Sequence, residues 1–274
     1  MKVRFNLYKD GKHKALTMSY DDGQVHDIRL LEIFNKYGIK GTFHLNSSKL
    51  DDEAGKFLTS EQVATKFDGH EISVHSLTHP YLERVSDEEI VHEIVEDRKN
   101  LERLCAYPVR GMSYPFGTYD TQLIGKLRVL GMQYSRTIKS AGVWSSPDDF
   151  KIPDDFMQWH PTCHHADAKL FDYLEAFKRC KRAMPLFYVW GHSFEFPRGD
   201  GWARIEEFCA KAGGDPDVWY ATNIEIYDYI TALRALRFSA DRSMVYNPSA
   251  TDVWVDVDGK AVACPAGKVT KLII

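Results

Sequence analysis

The chain has 274 residues, enough for one large domain or for one domain with a small appendage. Its composition, 44% hydrophobic and 27% charged, is that of an ordinary globular protein and excludes a disordered or collagen-like chain. Lys and Arg number 35 against 39 Asp and Glu, a net charge of −4, and no basic run stands out. We therefore do not expect a nucleic acid as a partner.

The cysteines and the apolar segments bear on the cellular compartment. The five cysteines are widely spaced and form no Cys-x-x-Cys pair, so we expect reduced, structural thiols. No segment approaches the apolar length of a membrane span, and the first residues lack the apolar stretch of an export signal. We expect a cytoplasmic protein without a membrane partner, unless an export signal has been removed. The sequence leaves the oligomeric state open.

Short β-like runs alternate with helical patterns from residue 15 to about residue 235, which is typical of βα units around a parallel sheet or barrel. Strands are predicted at 15–20, 41–46, 70–75, 109–114, 133–138, 157–163 and 186–192, with a further candidate at 218–222. Helices are predicted at 26–37, 86–104, 120–131, 172–183, 204–212 and 225–236. The alternation predicts an α/β fold, a distorted (β/α) barrel of about seven strands.

Residues 236–274 differ from the rest of the chain. They alternate apolar and polar side chains and contain several turn signals, which predicts a small β-rich appendage after a barrel domain of residues 1–235. Nothing in the appendage is chemically distinctive, so we expect it to cover part of the barrel rather than to bind substrate.

The segment LTMSYDDG at 16–23 describes a strand that ends in two carboxylates and a glycine. Catalytic groups of α/β barrels lie at that end of a strand. Neighbouring residues that leave a strand point in different directions, so one aspartate can bind a cation while the other faces the water that the cation activates. Taken alone, the motif also suits a turn that only terminates a strand.

The segment GHEISVHSLTHPYL at 69–82 places His75 and His79 four residues apart, just beyond a predicted strand. Two histidines and one carboxylate are a common Zn²⁺ ligand set in hydrolases and also suit non-haem Fe²⁺. We predict one divalent metal ion and favour Zn²⁺, with Co²⁺, Ni²⁺, Mn²⁺ and Fe²⁺ as alternatives.

These two segments resemble the first two motifs of carbohydrate esterase family 4, the NodB-like polysaccharide deacetylases, and the likeness extends over most of the βα region. The resemblance implies that Asp21 is the general base and that Asp22, His75 and His79 bind the metal. The chemistry agrees, because a ligated carboxylate is occupied whereas its unligated neighbour can accept a proton from the bound water.

The segment VRGMSYPFGTYD at 109–120 resembles the family's third motif, in which an aromatic residue between Pro and Gly donates its backbone N–H to the oxyanion. Phe116 occupies that place. Arg110 lies further upstream than the usual Arg-Pro-Pro-Tyr-Gly spacing, and we assign it to steadying the base. Arg136, on the next predicted strand, is its rival and otherwise a substrate contact. For either arginine an ordinary ion pair is an equally open interpretation.

The segment LFYVWGHSFEF at 186–196 resembles the family's Leu-x-His motif, with Trp190 in place of Leu. The resemblance makes His192 the general acid that protonates the leaving amine, with a structural histidine as the alternative. The aspartate that would orient His192 is not identified, because Asp148, Asp149 and Asp154 all lie in one loop-like segment.

The remaining candidates are residues that could line a cleft. WHPTCHHAD at 159–167 contains three histidines, for which we favour pocket-lining or structural roles because a complete metal ligand set already exists. His164 is assigned as a substrate contact. Tyr114 and Trp190 are predicted to stack against a sugar.

The motifs together predict a metal-dependent hydrolase that removes N-acetyl groups, or O-acetyl groups, from an acetylated sugar or oligosaccharide. The first alternative is an amidohydrolase that acts on a C–N bond outside sugars. The second alternative is a decayed enzyme that only binds carbohydrate.

Overall fold

The structure is a computed structural model that describes residues 1–140 and 150–272. In chain order its strands are β1 (Val3–Arg4), β2 (Lys14–Asp21), β3 (Gly41–Leu45), β4 (Glu71–Val74), β5 (Gly111–Ser113), β6 (Tyr134–Arg136), β7 (Cys163–His164), β8 (Leu186–His192), β9 (Val218–Tyr220), β10 (Arg237–Phe238), β11 (Met244–Tyr246), β12 (Val253–Val257), β13 (Lys260–Cys264) and β14 (Val269–Lys271). Its α-helices are α1 (Asp27–Tyr37), α2 (Ser60–Lys66), α3 (Asp87–Cys105), α4 (Thr121–Val129), α5 (Leu170–Arg179), α6 (Gly201–Ala212) and α7 (Asn223–Arg234).

The main sheet is parallel and curled. Its strands follow the order β6-β5-β4-β3-β2-β8-β7, and β9 also pairs with β2. Trp159 forms a parallel bridge with Arg136 of β6, and β7, a few residues later, pairs with β8. Residues 159–164 thus join the two edges of the sheet. This arrangement is a distorted barrel and confirms the predicted α/β fold class.

Each described α-helix buries at least one apolar side chain. In α1, Leu30, Leu31 and Phe34 are buried, and the helix ends at Gly38, whose φ of +65° is readily adopted by glycine. The side chain of Ser86 accepts a hydrogen bond from Glu89 N–H at 3.3 Å and caps α3. Within the two described ranges, no helix is both long enough and apolar enough to cross a membrane.

Two small antiparallel sheets, β1-β12-β13 and β10-β11-β14, complete the fold. They share a second apolar cluster with α7, where Tyr229 Oη donates to Leu7 O at 2.9 Å and accepts from Trp254 N–H at 3.1 Å. The division at residue 235 stays a prediction. The structure adds that β1, at the start of the chain, pairs with β12 near its end.

The strand register positions the chemistry. Asp21, the last residue of β2, lies level with His44 of β3 on one side and with His192 of β8 on the other. Because all these strands are parallel, their carboxyl ends share one edge of the barrel, where the polar residues that follow each strand meet.

Candidate active site

The three residues predicted to bind a metal converge at the carboxyl edge of the sheet. Asp22 follows β2, and His75 and His79 follow β4. The two histidine Nε2 atoms are 3.1 Å apart, and each lies 3.7 Å from Asp22 Oδ1. In a tetrahedral zinc site with bonds of about 2.05 Å, ligand atoms are roughly 3.3 Å apart. The spacing therefore fits one divalent cation.

The protonation state of the histidines also suits a metal. His75 Nδ1 lies 3.0 Å from Ser113 O and 2.7 Å from Ser113 Oγ, so an N–H on Nδ1 can donate there and leave Nε2 free as a ligand. Burial lowers the pKa of His75 well below its usual value and lowers the pKa of His79 as well. Neutral imidazole is the form that binds metals.

The backbone around this set is strained. Asp22, Ser76 and His79 have φ values of +78°, +63° and +69°, in the left-handed region that side chains other than glycine rarely adopt. Specific contacts enforce these conformations, since Asp22 N–H donates to His44 O at 3.0 Å and His79 N–H donates to Ser76 Oγ at 3.1 Å. Such strain is concentrated at functional sites.

Two buried carboxylates on α3 hold the loop that carries both histidines. Asp97 accepts hydrogen bonds from the N–H groups of Ser47 at 2.7 Å and His75 at 3.2 Å. Glu93, one turn earlier, accepts from Thr78 N–H at 2.8 Å and from Thr78 Oγ1 at 2.6 Å. These hydrogen bonds fix the loop and, with it, the positions of the two imidazoles.

Asp21 is a buried carboxylate beside the metal-ligand set. Its Oδ1 lies 3.2 Å from both Ser113 Oγ and His44 Nδ1, and its Oδ2 pairs with the guanidinium of Arg136 and lies 3.9 Å from His75 Nε2. Burial alone would raise the pKa of Asp21, but the charge of Arg136, assisted by His75 and His44, holds the pKa well below its usual range. Asp21 is therefore ionised.

The two arginine assignments need correction. Arg110 precedes β5 at the amino end of the strand and pairs with Asp228 through bonds of 2.8 and 2.7 Å, so its assignment to the base is wrong. The fully buried Arg136, named as the rival for this role, contacts Asp21 instead, and its burial rules out the predicted substrate contact. Arg136 lies level with Ser113 of β5. Ser113 stands where the motif spacing would place arginine, and its small side chain leaves room for Arg136.

Phe116 lies on the turn Pro115–Gly117 with a φ of +58°. Its ring stacks on Tyr81 at 3.9 Å and meets the ring of His79 edge-on at 4.4 Å, so the turn lies against the metal-ligand set. The predicted backbone donor is therefore close to the place where a substrate carbonyl would lie, and its role stays a prediction.

The two aromatic cleft candidates are both buried. Tyr114 is 1% exposed, donates from its hydroxyl to Met157 O at 2.8 Å and stacks on Tyr119, so its assignment to the cleft is wrong. Trp190 is 8% exposed, and its ring lies 4.4 Å from the guanidinium carbon of Arg136. It supports the arginine that pairs with the base.

His192, predicted as the general acid, ends β8 beside Asp21. Its Nδ1 lies 3.4 Å from Glu195 Oε1, a carboxylate that the sequence analysis missed although it is only three residues away. Burial would lower the pKa of His192, but the carboxylates of Glu195, Asp21 and Asp22 outweigh burial and raise it. Of the three aspartates among which no choice could be made, Asp154 pairs with Lys151, and 148 and 149 lie outside the described residues.

The remaining histidines have separate environments. His164 and His165 place their Nε2 atoms 3.2 and 3.0 Å from Glu195 Oε2. His160 Nδ1 lies 2.6 Å from Thr137 Oγ1 and takes no part in this cluster. His44, also missed, could have been flagged because it falls near the end of a predicted strand, as Asp21 and His75 do.

Residues 8–135 match the model of the polysaccharide deacetylase family. The chain is 22% identical over 173 residues to a chitooligosaccharide deacetylase from Azorhizobium caulinodans, which covers 58% of this chain and 79% of that protein. It is 23% identical over 125 residues to a peptidoglycan-N-acetylglucosamine deacetylase from Listeria monocytogenes. This match covers 45% of the present chain but only 26% of that protein.

Solved structures share the fold. One is a protein from Mycobacterium smegmatis described as a candidate polysaccharide deacetylase, with a TM-score of 0.61 at 18% identity over 85% of this chain and 96% of that chain. Another is a carbohydrate esterase family 4 pseudoenzyme from Bacillus anthracis, with a TM-score of 0.50 at 16% identity over 78% and 65%. Residues 8–135, which carry Asp21, Asp22, His75, His79 and Phe116, thus match the polysaccharide deacetylase family, and the solved structures share the fold.

Proposed function

We propose that the protein is a metal-dependent deacetylase that removes N-acetyl groups, or O-acetyl groups, from an acetylated sugar or oligosaccharide. The observation that carries this proposal is an ionised, buried Asp21 next to an Asp22, His75 and His79 set with the spacing of a zinc site. The relatives named above act on chitooligosaccharide and on peptidoglycan N-acetylglucosamine, which supports a sugar substrate.

Asp22, His75 and His79 would hold the metal, and a set of three protein ligands leaves a coordination position for water or substrate. When bound, a divalent cation acidifies a water molecule and polarises a carbonyl oxygen. Zn²⁺ is our first choice because two neutral imidazoles and one carboxylate suit it.

Asp21 would act as the general base. Its Oδ2 lies 3.9 Å from His75 Nε2, so a water molecule next to the ligand atoms is within reach of this carboxylate. Arg136 keeps Asp21 ionised, while Ser113 and His44 hold the other carboxylate oxygen in place. Asp21 is thus ready to take a proton as the water attacks the acetyl carbonyl.

His192 and Phe116 would serve the later part of the reaction. His192 lies level with Asp21 on the neighbouring strand, and its raised pKa favours the protonated ring that can donate to a leaving amine. The backbone N–H of Phe116 would donate to the oxyanion of the tetrahedral intermediate, a contact that is worth about 3 kcal/mol in comparable enzymes.

An acetate-release screen of the metal-loaded protein tests the proposal. The panel contains N-acetylglucosamine oligomers, peptidoglycan fragments, O-acetylated xylan oligomers and cyclic amides, with the chelator-treated protein as the control. We expect metal-dependent acetate release from at least one acetylated sugar. Hydrolysis of cyclic amides alone would support an amidohydrolase outside sugars. Binding of oligomers without acetate release would support the decayed enzyme and contradict the proposal.

A further inference from the structure

A second group of metal-ligating side chains lies at the carboxyl end of β8, outside the Asp22, His75 and His79 set. His164 ends β7, His192 ends β8, and Glu195 lies on the turn that follows. One ligand atom from each lies within 4.8 Å of the other two. The three side chains are 26%, 24% and 25% exposed, so the group is only partly buried, although Glu195 Oε2 and His192 Nδ1 themselves are buried.

The distances from the two imidazoles to the carboxylate resemble those in the first group. His164 Nε2 lies 3.2 Å from Glu195 Oε2, and His192 Nδ1 lies 3.4 Å from Glu195 Oε1. These distances are close to the roughly 3.3 Å between ligands around tetrahedral zinc. They also resemble the 3.1 and 3.7 Å measured between the ligand atoms that follow β2 and β4. Both groups consist of two imidazoles and one carboxylate.

Glu195 faces three imidazoles, and these ion pairs leave some polar atoms without a well-directed hydrogen bond. Among the described residues, Glu195 Oε2 and His192 Nδ1 have no hydrogen-bond partner, although His164 Nε2 and His165 Nε2 lie within 3.2 Å of that oxygen. Buried polar atoms without a partner are unfavourable. A cation between the three side chains would satisfy them together.

A third imidazole, that of His165, lies beside the carboxylate of Glu195 and is packed in place. His165 Nε2 lies 3.0 Å from Glu195 Oε2, and the ring of His165 packs between Tyr20 and Phe196. A Cβ on Gly191 would come within 1.9 Å of His165 Nδ1, so this packing requires glycine. Such support orients metal ligands before the ion arrives.

We propose that His164, His192 and Glu195 form a second divalent cation site, separate from Asp22, His75 and His79, that suits Zn²⁺ or another borderline metal ion. His164 is then a ligand rather than a substrate contact. A cation on the ring of His192 would withdraw this residue from acid catalysis, so occupation of the second site would inhibit the enzyme. That consequence rests on the proposed function, whereas the binding of the ion does not.

Calorimetric titration of the chelator-treated full chain with Zn²⁺ tests the second site. We expect two equivalents for the wild type, one for His164→Gln, one for His79→Gln and none for the double variant. Removal of a ligand should weaken the affected site by at least about 10-fold. His160→Gln is the matched control, because His160 lies on the same segment but bonds to Thr137, and it should still bind two equivalents.

Glu195→Gln provides a second variant that removes the carboxylate, and circular dichroism verifies that each variant is folded. Binding of a single equivalent by the wild type that His79→Gln abolishes would overturn the second site. Two equivalents in both His164→Gln and Glu195→Gln would also overturn it. The wild type could also bind one equivalent of Zn²⁺ that His79→Gln still binds and His164→Gln does not. The ion would then occupy the second site only, and this result would count against the proposed function.

Discussion

Arg136→Met removes the charge that faces the candidate base. The side chains of Arg136 and Asp21 are 0% and 3% exposed, so the variant leaves a buried carboxylate without its cationic partner. Breaking a buried ion pair in this way costs about 3–5 kcal/mol. The methionine fills part of the space under Trp190, which keeps the packing loss small. The pKa of Asp21 should rise, because burial raises this pKa and the charge of Arg136 no longer lowers it.

Urea unfolding of the chelator-treated protein at pH 7 measures the loss of stability without a contribution from bound metal. Arg110→Met is the matched control, since Arg110 and Asp228 form a pair that is about one-third exposed on each side and is worth about 0–1 kcal/mol. Asp21→Asn combined with Arg136→Met removes both charges and should recover at least about 2 kcal/mol relative to Arg136→Met. In the metal-loaded enzyme, Arg136→Met should lower kcat/KM by at least about 100-fold.

Equal stability losses in Arg136→Met and Arg110→Met would refute this reasoning. So would a double variant that is no more stable than Arg136→Met, because the cost would then not come from an unpaired Asp21.

Two further predictions concern buried carboxylates. Burial raises the pKa of Glu71 to about 7 from 4.5, so its stabilising contribution is present below about pH 4.5 and is lost as the pH rises through 7. Glu71→Gln should remove up to about 3 kcal/mol of this pH dependence in urea unfolding between pH 4.5 and 8, and an unchanged pH profile would count against it. Asp97→Asn turns an amide donor toward the backbone N–H of His75 or Ser47, and should weaken Zn²⁺ binding at the first site by about 10- to 100-fold in calorimetry. Unaltered affinity would show that the loop does not depend on Asp97.

Much of the barrel could be predicted because each parallel strand is a short apolar run followed by polar residues. The starts of β2 and β8 and the end of α1 fall within a residue or two of the prediction. The helix α2 was missed because it has seven residues and buries only Val63. The strand predicted at 157–163 was too long, since this segment bridges to β6 at Trp159 and then crosses to pair with β8.

The metal-ligand set could be predicted because its members follow their strands directly and repeat a known motif. For the partner of Asp21 the sequence offered both Arg110 and Arg136 and could not choose between them. The choice depends on which residue of β6 lies level with Ser113 of β5, and only the register between strands shows that this residue is Arg136. Glu195 was missed for a related reason. The sequence offered aspartates on another loop, whereas the carboxylate lies on the turn after His192 itself.

Acetate release by Asp21→Asn tests the central claim most directly. The variant and the wild type are stripped, reloaded with one equivalent of Zn²⁺ and assayed on the acetylated sugar that the wild type deacetylates, and the bound metal is measured in both. The account predicts that Asp21→Asn keeps its metal and loses turnover by at least about 100-fold, since Asp21 acts as a base rather than a ligand. Substantial residual turnover in a metal-loaded Asp21→Asn variant would contradict it.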